Sequence, residues 1–209
     1  MGLQLRLREL YAQDETNTAG TEWGSDDMYL AGVALELRGP QLKPIVHRIQ
    51  PFKVGEFDDG TRKRYDPPLL FDNYGFGPGV FPKRIAMAFL LAEVDSGDDL
   101  QGAFEDLAGR MEKYAQTIKA DIAAGQGPAI KEEKDDFWGG ALNVAIEVIT
   151  FVYDRWKGDE IFEPKIEQIT LDSEADRWDG QDTSPVREVK FQGHGGTYIL
   201  NYDLHMQDA

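Results

Sequence analysis

The chain has 209 residues, with 38 Asp and Glu against 22 Lys and Arg, a formal net charge of −16 and no Cys. The length is enough for one domain with an insertion, and 41% hydrophobic residues with 11% aromatics argue against global disorder. The absence of Cys excludes disulfides, thiolate catalysis, zinc–thiolate sites and iron–sulfur ligation, while the charge argues against general nucleic-acid binding and leaves cations as natural partners.

Leu3, Leu5, Leu7 and Leu10 alternate with Gln4, Arg6 and Arg8. This period of two predicts a strand with one buried face. The alternation starts at the N-terminus, without the apolar run of a signal peptide. The longest apolar stretch, Ala141–Tyr153, holds Asn143 and Glu147 and is too short to cross a bilayer. The expectation is a soluble chain, not transmembrane, either cytoplasmic or exported without a cleaved leader.

A polar loop over 13–27 leads into a second strand over Met28–Leu37, and the pair reads as a hairpin with a long acidic tip. Val46–Val54 predicts a third strand ending in a turn at Glu56–Gly60. The Pro-, Gly- and aromatic-rich stretch Tyr65–Pro82 suits an ordered loop or edge connection, because Pro and Gly are poor in strand interiors. Arg84–Val94 is almost continuously apolar and predicts a central buried strand.

The period then changes. Leu100, Phe104, Leu107, Met111, Tyr114, Ile118 and Ile122 recur every three or four residues, predicting an amphipathic helix with Asp98 as N-cap and Gly125 as its stop. A second helix fits Phe137–Trp156, with apolar residues over more than half its circumference and hence burial on more than one side. Strand patterns return at Ile161–Leu171, Val186–Gln192 and Thr197–Met206. Strands, two helices, then strands again predict an α+β fold: a single-domain antiparallel β-sandwich (1–97 and 158–209) with an inserted helical hairpin (98–157). The order is wrong for a parallel βαβ sheet.

Carboxylates gather at the predicted strand ends: Asp14 and Glu15, Asp26 and Asp27, Asp58 and Asp59, Asp95, Asp98 and Asp99, Asp159 and Glu160. Hard cations such as Ca²⁺ take six to eight oxygen ligands, which flexible acidic loops supply. Asp95, Asp98 and Asp99 beside Gly97 are crowded like charges that a cation would relieve. The same residue types also populate turns and helix caps, and a cap alone accounts for Asp98. No EF-hand pattern is present.

Two of these loops resemble C2 domains. Gly24-Ser25-Asp26-Asp27-Met28-Tyr29-Leu30 is similar to the Ser-Asp-Pro-Tyr-Val stretch after their first calcium loop, with Met28 in place of Pro. Ala92-Glu93-Val94-Asp95-Ser96-Gly97-Asp98-Asp99 is similar to their later Asp-rich loop. The resemblance implies a calcium-binding sandwich with Asp14, Asp26, Asp95 and Asp98 as ligands. With the neighbouring Asp27 and Asp99, these six form the candidate metal set. The implied partners are a divalent cation and, beyond it, a protein or calcium-bridged anionic lipid.

Other chemistries have less support. His47, His194 and His205 lack a spaced metal partner, Gly193–Gly196 is not followed by the Lys-Ser/Thr of a phosphate loop, and no Gly-x-Ser-x-Gly occurs. Two alternatives to the calcium module remain: a membrane-active or exported effector whose helical hairpin inserts or meets a partner, and a carbohydrate enzyme using paired carboxylates. In the latter, Trp23, Tyr74, Phe76, Trp138, Trp156 and Trp178 would be sugar-stacking candidates.

Overall fold

The computed structural model describes residues 2–14, 26–39, 43–75, 81–94, 100–125, 131–156, 161–173 and 175–207. Its strands are β1 (Gly2–Asp14), β2 (Asp26–Arg38), β3 (Lys43–Phe57), β4 (Arg62–Gly75) and β5 (Lys83–Glu93), then β6 (Lys165–Leu171), β7 (Arg187–Gly193) and β8 (Gly196–Gln207). Helices α1 (Leu100–Ala123) and α2 (Lys131–Trp156) lie between β5 and β6 in the chain. The strands form two antiparallel four-stranded sheets, ordered β4-β1-β8-β7 and β3-β2-β5-β6. The architecture is mixed α and β, consistent with an α+β sandwich.

Three layers follow from the side-chain pattern. Leu3, Leu5, Leu7, Tyr198, Leu200 and Leu204 of the first sheet share one core with Met28, Leu30, Ile85, Met87 and Phe89 of the second. On its other face the second sheet turns Ala31, Val33, Leu35, Ala86, Ala88 and Leu90 toward Phe104, Leu107 and Met111 of α1 and Ala141, Ala145 and Ile149 of α2. A strand covered on both faces is apolar at most positions, which explains the run Ile85–Ala92 within β5. Close cross-sheet packing also requires Gly32, since a Cβ there would lie 2.9 Å from the Phe71 ring.

The hairpin expected between the first two strands does not form. β1 sits between β4 and β8, whereas β2 sits between β3 and β5 in the other sheet. Alternation defines a buried face but does not choose a partner. β2 is apolar on both faces and so joins the sheet that the helices cover, while β1 has one apolar face and joins the sheet they leave open.

The Pro-rich stretch contains an edge strand. β4 pairs with β1 alone, and the register jumps from Leu7 opposite Leu69 to Glu9 opposite Arg64. The prolines Pro67 and Pro68 fall in that bulge, where their missing N–H groups leave no ladder bond unmade. Strand β6 is shorter than its apolar run suggests; Ile161 makes only an isolated bridge to Ala92.

Helix α1 stops as expected, with Gly125 at φ +78° and its N–H donating to the Ile122 carbonyl. The Asp98 cap lies outside the described residues. Helix α2 starts at Lys131, so the charged run 131–136 continues the helix rather than preceding it. Among its described side chains, burial is confined to one side. Trp138, Ala141, Ala145, Ile149 and Val152 face the sheet, whereas Ile146 and Phe151 are exposed. One helix layer on one sheet face leaves the outer side of α2 in water, whatever its composition. Among the described residues, no helix is long and apolar enough to cross a membrane.

Candidate functional site

Several strand termini meet at one end of the fold. Here the Ala12 N–H donates to the Thr61 carbonyl and the Gly60 N–H to the Ala12 carbonyl, joining the end of β1 to the β3–β4 turn. The Val94 N–H donates to the Asp27 carbonyl, joining the end of β5 to the start of β2. The end of β1, the start of β2, the turn 58–61 and the end of β5 therefore lie at a common end.

Asp14 closes β1 opposite Thr197, and Asp27, the second residue of β2, lies opposite Glu56. The Asp27 carboxylate lies 2.7 Å from Lys53 Nζ, which also reaches Glu56 at 3.1 Å. One expected ligand thus already has a cation. The backbone of Asp26 pairs opposite Phe57, while its side chain and all of Asp95, Asp98 and Asp99 lie outside what is described. Glu15, Asp159 and Glu160 lie outside it too. The Asp58–Thr61 turn is built locally: the Asp58 N–H donates to Thr61 Oγ1, and Gly60 takes φ +78°. Among the described residues, no group of three or more His, Asp or Glu is placed to hold a metal.

His194 has a structural role. It and Gly195 take φ of +50° and +86°, the two left-handed positions of a tight hairpin turn between β7 and β8. Its Nε2 lies 3.2 Å from the Ile161 carbonyl, and its ring meets Phe162 edge-on. The aromatics considered for sugar stacking are packed where described: Tyr74 and Trp138 are buried, and Trp156 and Trp178 are partly buried against the core. Trp23 and Phe76 lie outside the described residues.

The opposite end holds a buried polar cluster that the sequence reading missed. Glu36 of β2 and Lys83 of β5 are both 0% exposed and in direct contact. Arg38 Nη2 donates to Glu36 Oε2 at 2.6 Å, and His47 Nε2 lies 2.8 Å from the same oxygen. His47 Nδ1 is 3.3 Å from Asp72 Oδ2 on β4, so the imidazole spans the two sheets. The Tyr74 ring packs against His47 at 4.6 Å. Burial would raise the Glu36 pKa, but hydrogen bonds from His47, Arg38 and Lys83 hold it down at about 2. Burial would likewise lower that of His47, yet the Asp72 and Glu36 carboxylates raise it to about 9. A neutral imidazole has one donor, and both neighbours here are acceptors, so the protonated form fits this position.

The available signal was Glu36 inside a strand otherwise apolar on both faces. Such a residue must find its counter-charges in the interior. Glu36 and Lys83 are closed off from solvent, and the His47 contacts to Glu36 and Asp72 join the two sheets.

Comparison with protein-family models, with curated proteins and with solved structures finds no match to this chain.

Proposed function

We propose that the chain is a non-enzymatic interaction module of C2-like type whose acidic end takes up Ca²⁺ and thereby orders a binding surface. In this reading the two sheets form a sandwich and the helices are an inserted hairpin. The ligands come from Asp14, Asp26, Asp27, Asp95, Asp98 and Asp99. The supporting observation is that the strand ends carrying Asp14 and Asp27 and the end of β5 at Val94 share one end of the fold, tied together by the Ala12–Thr61 and Val94–Asp27 hydrogen bonds and the β2–β3 pairing. The strong net negative charge agrees with an uptake of divalent cations. A protein partner, or anionic lipid bridged by the ion, would meet this end, because bound calcium reverses the local field.

Thermal melting with calcium and then with chelator tests the reading. A ligand at about a hundred times its Kd stabilises the native state by about 2.7 kcal/mol. A chain of this size should then melt about 5 °C or more higher. Superimposable curves at millimolar calcium would reject the module.

A second reading is favoured by the exposed Phe151 and Ile146 on α2. In it, the helical pair contacts a partner or enters a bilayer. Dye release from anionic liposomes, abolished by Phe151→Asp with the fold intact, would support it; intact liposomes would remove the bilayer option.

A further inference from the structure

The two sheets differ in what covers their outer faces. Helices cover β3-β2-β5-β6, whereas the face of β4-β1-β8-β7 carries no helix among the described residues. In register across this second face, Arg62, Tyr11, Ile199 and Lys190 make one row from edge to edge. Arg64, Glu9, Asn201 and Glu188 make the next, and Leu70, Arg6 and Asp203 the one after.

Arg62, Arg64 and Arg6 stand in these rows, and Arg8 joins them from the bulge of β1. Asp203, 0% exposed, takes Arg6 Nε at 2.9 Å on one oxygen and Arg8 on the other. Glu9 takes Arg62 Nη1 at 2.8 Å and Arg64 Nε at 2.6 Å. Four guanidinium groups thus share two carboxylates. Lys190 is exposed and makes no ion pair among the described residues. Glu188 adds a third carboxylate, so five cations (Arg6, Arg8, Arg62, Arg64 and Lys190) face three carboxylates (Glu9, Asp203 and Glu188) and a surplus of positive charge remains, in a chain of net charge −16. The Arg62 guanidinium lies 3.7 Å above the Tyr11 ring, so it is held flat before any ligand arrives.

The geometry points to a docking surface for an extended acidic segment of a partner polypeptide, laid along the Arg62–Tyr11–Ile199–Lys190 row. The segment would carry two carboxylates about four residues apart with an apolar side chain midway. Strands lie about 4.8 Å apart, so three spacings span about 14 Å, which an extended chain covers in about four residues. Residues i, i+2 and i+4 of such a chain face the same way, so acidic, apolar and acidic side chains meet Arg62, the Tyr11–Ile199 pair and Lys190 in turn.

Carboxylates fit better than a phosphate polymer or a membrane. The face already holds two carboxylates between paired guanidinium groups. A long polyanion or an anionic bilayer would extend past the face, beyond the screening length of about 8–10 Å, and meet the rest of an acidic protein. A short segment stays within the patch.

The test uses the full chain in chelator and low salt, so that its outcome is separate from the calcium reading. The probe is a short labelled peptide with two glutamates flanking a leucine at the spacing above, followed by fluorescence anisotropy. Saturable binding that weakens about tenfold or more between low and high salt is expected. Lys190→Glu should weaken it at least about fivefold with melting unchanged, and Arg64→Gln should weaken it with Glu9 still paired to Arg62. Absence of saturable binding, or binding indifferent to Lys190→Glu, would overturn the proposal. So would tighter, Lys190-dependent binding of single-stranded nucleic acid or anionic vesicles, which would give the face to phosphate.

Discussion

The two ends of the strand pack treat carboxylates in opposite ways. At one end Glu36 and Asp72 are drawn between the sheets, where Lys83, Arg38 and His47 neutralise them. At the other, Asp14 sits at an exposed strand end and Asp27 leans on a half-exposed Lys53. A charge removed from water must be matched by the protein itself, whereas a charge left at the rim can be matched by solvent or by an ion from outside. The first end is therefore stabilising only while every partner is present. The second can respond to its surroundings.

The largest effect should come from unbalancing the buried end. Lys83→Met leaves Glu36 with two of its three cations and should cost about 3 kcal/mol or more, seen as a melting temperature lower by about 10 °C. Adding Glu36→Leu to that variant removes the orphaned charge and should recover at least half of the loss. If the double variant is no better than the single one, the cluster is not acting as a unit.

The next effect is set by pH. The His47 pKa is raised on folding, so its contribution is complete below about 6.5 and disappears as pH climbs through about 9. Stability by denaturant titration should therefore fall by about 3 kcal/mol from neutral pH to pH 10, and His47→Gln should flatten that alkaline slope. The Glu36 pKa is lowered, so its contribution is present above about 4.5 and is lost as pH falls toward about 2.

A smaller change sharpens the contrast at the acidic end. Lys53→Ala removes the cation beside Asp27 and should leave basal stability within about 1 kcal/mol, since exposed pairs contribute little. It should also enlarge the melting shift produced by calcium. A reduced shift would mean that Asp27 takes no part in holding an ion.

The smallest effect concerns α2. Phe151→Ala should change stability by no more than about 1 kcal/mol, because 54% of Phe151 is exposed and the Arg110 guanidinium stacks on its ring 4.3 Å from the centroid. Ile149→Asp, on the buried side of the same helix, should unfold the chain or cost several kcal/mol by leaving a charge in an apolar layer. Similar losses for the two would mean that the outer side of α2 is covered as well.

The positions of most elements were legible in the sequence because each depends on a local period. The heptad-like spacing from Leu100 to Ile122 defined α1, Gly125 marked its end, and the unbroken run of β5 marked a buried strand. The burial of α2 was misread because an apolar circumference states what a helix could bury, not how many neighbours it meets. The edge strand β4 was hidden by Pro67 and Pro68, which sit in a bulge where a strand tolerates them. Of the candidate metal residues, Asp14 and Asp27 fall at one common end, and Asp27 has a lysine that spacing could not reveal. The buried cluster draws on β2, β3, β4 and β5, so no window of sequence contains it.

By itself the amino-acid order determined periodicity, charge and the alternation of strand and helix, because those depend on residues close together in the chain. The tertiary structure alone decided that β1 and β2 part into different sheets, that His47 bridges Glu36 and Asp72, and that Arg62, Tyr11, Ile199 and Lys190 line up across four strands. Each of these joins residues far apart in sequence, and their meeting is fixed by which faces must be covered, a property of the packed whole.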